Sequence, residues 1–519
     1  MRLQTQVLII GGGITGVGLA RDLALRGVPT LLVERRDINA GTSGANHGLL
    51  HSGARYVRND PSAAVECRQE SAILKRMAPH CIEETGGFFV AVEGDDEAYA
   101  AGFPALCERS GIACKPLSTN DARELEPVLS ERLIAAYEVD DAAIDPFQLS
   151  LDNLAEALER GSRVMLHTRV AGFELEHGRI RRTRAIHDVT GEEVIIEAAQ
   201  VVNAAGAWAR DVAALAGIAL DLVYSKGSLL ITDRRLTGRV INRLRQASDA
   251  DLLVPGGTVS ILGTTSRRIE ALDRIVPTVE ESNAIIDAAA AMIPALEKTR
   301  FIRAYAGVRP LVTGKKGGDD RMVSRGFALV DHAREGVYNL VSIVGGKLTT
   351  YRLMAEKTAD LICSRLGVSR PCLTAIQPLK SFPGNQWTAA GIAPRHWLRA
   401  HRSEDLLLCE CEMVPASVVE AVIEGIRLQG GTCSLYSIGR RSRIGKGTCQ
   451  GAFCGLRINA FLYDRGTLDG RRGAEDLRSF LSARWRGMRP ILWDGALLQE
   501  ELQEALHCGY LGLELREIR

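Results

Sequence analysis

Apolar residues gather in short unbroken runs in the N-terminal part of the chain, and a break followed by helix-spaced apolar positions comes after the first. Residues 7–10 form such a run, as a strand buried on both faces of a parallel sheet requires. Residues 14–26 then predict a helix that stops at Gly27, a residue suited to a C-terminal cap, and 30–33 predict the next strand. Together they make one βαβ unit, right-handed by default. Comparable runs recur at 201–203, leading into Ala204-Ala205-Gly206, and at 338–344, leading into Gly345-Gly346 and a helical run over 351–366. Between them, 87–92, 226–232 and 259–263 predict strands of a second, antiparallel sheet. From 379 to 394 the pattern dissolves into Pro, Gly, Asn and Trp, the composition of a linker, and a module with a helix over 415–429 follows.

These elements predict an α/β protein. A Rossmann-like dinucleotide-binding domain is expected in pieces, at 1–80, 140–225 and 300–370. A mixed α+β substrate domain is inserted at 81–139 and 226–299, then come a linker at 371–404, a small helical module at 405–460 and a tail at 461–519. The length of 519 residues suits about three domains, and 46% hydrophobic with 24% charged residues is ordinary globular composition. With 64 basic against 63 acidic residues the net charge is +1, which argues against a non-specific nucleic-acid binder. The sequence has no apolar stretch long enough for a membrane-spanning helix, and the first short run lacks the apolar core and cleavage site of a secretory signal. A cytoplasmic location is therefore expected, with the twelve cysteines mostly reduced or bound to metal. Eight of them (67, 81, 107, 114, 363, 372, 433 and 508) are scattered and read as packing thiols.

Gly11-Gly12-Gly13-Ile14-Thr15-Gly16 places Gly-x-Gly-x-x-Gly between a predicted strand and helix. Gly11 permits the tight turn, Gly13 lets the backbone approach a pyrophosphate, and Gly16 allows close helix–strand packing. The helix N-terminus then presents free N–H groups and partial positive charge to the phosphates. Glu34 ends the second strand 18 residues after Gly16, where a carboxylate accepts from a ribose hydroxyl, an arrangement that does not separate FAD from NAD. The loop 39–56, with Thr42 and Ser43, is small enough to run along a flavin and its pyrophosphate, and Gly206 opens a similar turn. Gly345, Gly346, Lys347, Leu348 and Thr349 precede a second helix, whose N-terminus would stabilise negative charge on a reduced ring. Gly-Gly-Lys-Leu is not a nucleotide-triphosphate loop, because Lys is not followed by Ser or Thr.

The glycine motif with Glu34, NHGLLHSGARY (46–56), VVNAAGAW (201–208), KGSLL (226–230), AGVRPL (306–311), VSRG (323–326) and GGKLTTYRLMAE (345–356) together resemble the FAD-dependent glycerol-3-phosphate dehydrogenase family. That family lies within the D-amino-acid-oxidase-like flavoproteins, and the likeness spans most of residues 1–370. The cysteine-bearing tail is similar to the anaerobic, multi-subunit branch. The resemblance implies FAD as cofactor and glycerol 3-phosphate as substrate. Arg55, Arg309, Arg325 and Lys347 match positions used around the phosphate and substrate oxygens, and a phosphate dianion suits guanidinium and ammonium donors. For an isolated cation the plainer reading is a solvated surface or a salt bridge. Arg309 stands out because Gly-Val-Arg-Pro reads as a rigid turn between apolar segments. His51 and Tyr56 match residues on the substrate side of the flavin, His51 being either the proton acceptor or a structural, flavin-contacting histidine. Leu229 stands where aerobic members carry a histidine, so that residue's role does not transfer.

Cys409-x-Cys411 and Cys449-x4-Cys454 are two close pairs separated by 37 residues. Paired thiolates on short loops suit an iron–sulfur cluster or a zinc ion, and Cys-x-Cys is uncommon for structural zinc. The spacing resembles the bacterioferritin-associated-ferredoxin-like domain, which implies a 2Fe-2S cluster. Arg440, Arg441, Arg443 and Lys446 either offset the cluster's negative charge or form a solvated basic face. Trp485 and Trp493 in the tail would pack on the cysteine module or dock a partner protein.

The expected reaction is oxidation of glycerol 3-phosphate to dihydroxyacetone phosphate, with hydride passing to the flavin and electrons leaving through the cluster toward quinone. The resemblance implies two partners, a second flavin subunit and a membrane-associated iron–sulfur subunit, with the chain peripheral on the cytoplasmic side of the inner membrane. Two other functions fit the same residues: an FAD oxidase or dehydrogenase of a 2-hydroxy or amino acid, and a non-catalytic electron-transfer or assembly subunit.

Overall fold

Along Arg2–Ile10 the first five residues are exposed or half-buried and the last four are fully buried, so one strand runs from the surface to the centre of a sheet. The computed structural model describes residues 1–513 apart from 247, 274, 313–325, 389–391 and 401. Arg2–Ile10 pairs in parallel with Thr30–Val33 on one side and Glu193–Asn203 on the other. Arg163–Met165 and Leu340–Gly345 extend the parallel part, and Thr168–Glu176, Arg179–His187 and Phe327–Asp331 add antiparallel strands. One face buries Val7 and Ile9 beneath the helices Ile14–Leu25, Pro146–Glu159 and Tyr351–Leu366, and the other buries Leu8, Leu31 and Val201. Burial on both faces is what the unbroken apolar runs required. Gly27, at φ +78°, caps the first helix in the left-handed conformation.

The second sheet runs in the order Arg267–Ile269, Leu222–Thr232, Val259–Gly263, Leu252–Gly256, Val240–Arg243, Gly87–Val92, Leu133–Val139, Cys114–Leu117. It is antiparallel except where Gly87–Val92 meets Val240–Arg243. The strand Phe301–Val312 pairs along the whole of Leu222–Thr232. Residues 301–312, assigned from the sequence to the nucleotide domain, thus belong to the substrate sheet. The reading of Gly-Val-Arg-Pro as a turn is overturned with it, since Arg309 lies mid-strand opposite Ser225. Proline is tolerated there because, among the described residues, Phe301–Val312 pairs with one neighbour and is an edge strand.

One more expectation is corrected. The described residues of 371–404 form a strap packed on the rest of the chain, where the sequence suggested a linker. Leu379 is buried in the nucleotide-domain core and its N–H bonds to the Met77 carbonyl, while Asp152 accepts from Phe382 N and Asn385 Nδ2. The tail packs on the cysteine module through Leu477, Phe480 and Leu481, as one of its two readings had it, and on the substrate sheet as well. Met488 and Ile491 are buried in the hydrophobic core of the substrate sheet, and the Trp493 ring meets Phe301 edge-on, centroids 6.3 Å apart. The C-terminal helices Ala416–Leu428, Leu435–Arg440, Cys454–Asp464 and Gly470–Met488 share their own core around Val419, Ile438 and Phe480.

Candidate functional site

The edge where the parallel strands end opens into a cleft of about 690 Å³ that continues to the face of the second sheet. Its floor begins at Gly11, whose φ of +118° and the Ala204 carbonyl oxygen, 2.5 Å from where a Cβ would stand, admit only glycine. Gly13 occupies the N-cap of Ile14–Leu25 and brings no capping side chain. Ser43 reaches over instead, its Oγ accepting from Ile14 N at 3.0 Å. Thr42 donates to the Val308 carbonyl at 2.6 Å, which ties the loop to the second sheet. The Glu34 carboxylate closes one end, accepting from Gly12 N at 2.7 Å and Arg36 N at 2.8 Å. Burial pushes its protonation upward, which those N–H donors oppose. Beside it Trp208 lines the same end under the Arg35 guanidinium, 4.4 Å from the ring. Gly206, Gly345, Gly346 and Leu348 also line the cleft.

Gly16 and Thr349 stand behind the wall. A side chain on Gly16 would collide with the Gly11 carbonyl, so its role is packing. The Thr349 hydroxyl accepts from His51 N at 3.1 Å and so fixes the histidine loop to the second glycine turn.

At the opposite end, five expected residues meet. His51 is buried, and its Nε2 lies 3.4 Å from the Tyr56 hydroxyl. The Lys347 ammonium sits 4.7 Å from the Tyr56 ring centroid. Arg55 pairs with the buried Asp251 at 3.2 Å. Arg309 donates to Thr264 Oγ1 at 2.5 Å and to the Thr265 carbonyl at 3.3 Å, and a side chain on Gly227 would run into its guanidinium. Arg325 lies outside the described residues. Leu229 is buried in the sheet and takes no part in the cleft wall.

Sequence reasoning missed three contributors. His47 lines the cleft within the motif quoted for His51, and its buried Nδ1 has no hydrogen-bond partner among the described residues. Burial, with Arg309 and Arg55 close by, holds its imidazole down at about 3, so it is neutral in ordinary buffers. Trp208 ends another quoted motif. Asp251 carried no signal at all, because only the fold brings it to Arg55.

The four paired cysteines converge as well. Cys409 and Cys411 sulfurs are 3.7 Å apart, Cys411 and Cys449 3.6 Å, and Cys449 and Cys454 3.9 Å. A disulfide would need about 2.05 Å, and all twelve cysteines are free. Two thiolates on one tetrahedral ion with bonds of about 2.3 Å stand about 3.8 Å apart, close to the separation of each of these pairs. Hydrogen bonds from the neighbouring thiols hold Cys449 well below its ordinary value. A second cavity, of about 670 Å³, opens beside Cys411, Cys449 and Cys454. The reading of the basic segment as a solvated face is corrected. Arg441 pairs with Asp37 and Lys446 stands half-buried over the Phe147 ring, both partners lying outside the module, while Arg443 pairs with Glu412 inside it.

Among the described residues no helix is long and apolar enough to cross a membrane. The family model described as FAD dependent oxidoreductase matches residues 6–361. The chain is 41% identical to the A subunit of the anaerobic glycerol-3-phosphate dehydrogenase of Escherichia coli K12, covering 98% of this chain and 97% of that one. It is 37% identical to the A1 subunit of the anaerobic glycerol-3-phosphate dehydrogenase of Haloferax volcanii, over 98% and 90% of the two chains. In fold it resembles the glycerol-3-phosphate dehydrogenase of Bacillus halodurans complexed with FAD, with a TM-score of 0.67 and 22% identity over 95% of this chain and 96% of that one.

Proposed function

The chain belongs to the FAD-dependent oxidoreductase family, in its branch of anaerobic glycerol-3-phosphate dehydrogenase A subunits, and on that premise we propose that it oxidises sn-glycerol 3-phosphate to dihydroxyacetone phosphate. It does so as the flavin-bearing component of a multi-subunit enzyme. The observation that carries this reading is the meeting of Arg55, Arg309 and Lys347 with His51 and Tyr56 at one end of a dinucleotide-shaped cleft.

The cleft fits FAD: a glycine-only turn at Gly11, a helix start at Gly13 whose N-cap residue has no side chain, and an acceptor carboxylate at Glu34. Gly11, Gly13, Thr42, Ser43, Gly206, Gly345, Gly346 and Leu348 would hold it, with Gly16 and Thr349 supporting from behind. FAD supplies a two-electron acceptor, and a 2Fe-2S cluster on Cys409, Cys411, Cys449 and Cys454 supplies a one-electron outlet. Arg309, Arg55 and Lys347 bind the phosphate, with Arg325 assigned beside them by its motif. Fixing the remote phosphate orients the carbinol carbon. His51 Nε2 takes the hydroxyl proton, and the Tyr56 hydroxyl holds the ring in place. Onward transfer to a second flavin subunit, a membrane-associated iron–sulfur subunit and quinone completes the proposal, which seats the chain at the cytoplasmic face of a membrane through partners.

An anaerobic visible spectrum before and after glycerol 3-phosphate tests it. Bleaching of the flavin bands is expected, together with absorbance from sulfur-to-iron charge transfer and equimolar iron and acid-labile sulfide. A flavin that dithionite reduces but glycerol 3-phosphate leaves oxidised would refute the reaction, and zinc in place of iron would refute the cluster.

A further inference from the structure

The glycine turn is not supported by its own domain alone. Gly12 accepts from Asn39 N at 3.0 Å, and the Ile38 side chain lies where a Cβ on Gly12 would be 3.0 Å away, so residues 37–39 lie directly beneath the turn. Asn39 is itself left-handed, at φ +59°, and its amide donates to the Pro146 carbonyl. A non-glycine residue in that conformation persists only when its surroundings hold it.

What holds this loop comes from the far end of the chain. Arg441 donates to both oxygens of Asp37, at 2.6 and 2.8 Å, and Arg440 donates to the Ile38 carbonyl at 2.8 Å. Arg441 is 1% exposed and is anchored on its own side by Gln429 Oε1 and the Ser437 carbonyl. Both arginines sit at the end of Leu435–Arg440, in the helical module that carries the four cysteines. The Arg441 charge beside Asp37 holds that carboxyl below its ordinary value despite burial, as a formed ion pair requires.

We propose that the cysteine module is a structural part of the FAD site, its Arg440 and Arg441 clamping residues 37–39 under the glycine turn so that FAD binding and docking of the module are thermodynamically linked. The proposal rests on reading the cleft as the FAD site. Arg440 and Arg441 are positioning residues, since they act through Asp37, Ile38 and Asn39. Linkage is reciprocal: a docked module tightens FAD, and FAD holds the module in place.

Full-length apoprotein is titrated with FAD, and trypsin cleavage between 371 and 404 is followed with and without FAD. The wild type is expected to bind FAD and to be cleaved more slowly when it is bound. Arg441→Met should weaken FAD binding by about tenfold, within the range of coupling between linked sites, and abolish most of that protection. Arg441→Lys should recover part of both, since it restores the charge without the bidentate geometry. Arg440→Met, which removes one hydrogen bond to a carbonyl, should give a smaller loss in the same direction and decides the matter if Arg441→Met does not fold. FAD affinity within twofold of wild type in a folded variant, or cleavage indifferent to FAD in the wild type, would overturn the linkage. A wild type that takes up no FAD would instead overturn the reading of the cleft.

Discussion

Arg309 is positioned before any ligand arrives. Thr264 and the Thr265 carbonyl fix two of its nitrogens, and the missing side chain of Gly227 makes the room in which the guanidinium lies. A preorganised arginine loses little freedom on meeting a phosphate. Removing one partner of a buried charged pair costs about 2–4 kcal/mol, so Arg309→Ala should lower kcat/KM for glycerol 3-phosphate by about 30- to 1,000-fold. Steady-state kinetics with a dye acceptor measure this, and values near wild type would remove Arg309 from the site. His47 makes a different prediction. Its folded value of about 3 lies below the unfolded 6.5, so the unfolded chain binds more protons in between and stability falls as pH drops through that window. Between pH 7.5 and 5 the loss is about 2 kcal/mol, and it should vanish from the denaturation profile of His47→Gln. Profiles of equal slope in the two proteins would contradict it. His51 was legible in the sequence because its motif is specific. His47 was not, because its chemistry comes from burial and from Arg309 and Arg55, all of which arise only on folding.

Elements differ in how far local pattern determined them. The run 7–10, the helix Ile14–Leu25 and Tyr351–Leu366 were readable because buried parallel strands and capped helices obey local rules. Phe301–Val312 was misassigned because it runs between the two regions and carries Arg-Pro, which reads as a turn until its edge position is known. The same strand sets up a test of the tail. Gly487, near the end of Gly470–Met488, packs so closely that a Cβ would lie 2.8 Å from the Ala304 carbonyl oxygen. Helix propensity alone would favour alanine there by about 1 kcal/mol. A backbone oxygen in a paired strand cannot yield as a flexible side chain would, so overpacking prevails. Gly487→Val should cost about 1–3 kcal/mol and lower the melting temperature. An unchanged or raised melting temperature would show that the helix does not press on the strand.

At the scale of the molecule, the sequence conveyed an α/β class, a split nucleotide domain and a cysteine module, yet it pictured these as beads on a string. Composition around 379–394 could not reveal that Leu379 is buried in one core and Trp387 in another. The spacing of apolar residues after 460 could not reveal that Met488 and Ile491 complete the core of the substrate sheet. Both depend on contacts between residues far apart in the chain, which periodicity does not report. Domains joined only by small polar surfaces unfold one at a time. Here the buried Asp37–Arg441 pair joins the cysteine module to the nucleotide loop, and the Thr258–Glu412 bond at 2.7 Å joins it to the substrate sheet. Withdrawing the C-terminal region would strand a buried carboxylate and open the substrate core at Met488 and Ile491, costs that its own folding would have to exceed before it could melt alone. The FAD-loaded chain should therefore unfold in one calorimetric transition, with ellipticity and flavin release following the same curve. Two transitions more than about 10 °C apart, about 1–2 kcal/mol of difference in stability for a domain of this size, would mean that the module is tethered rather than built in.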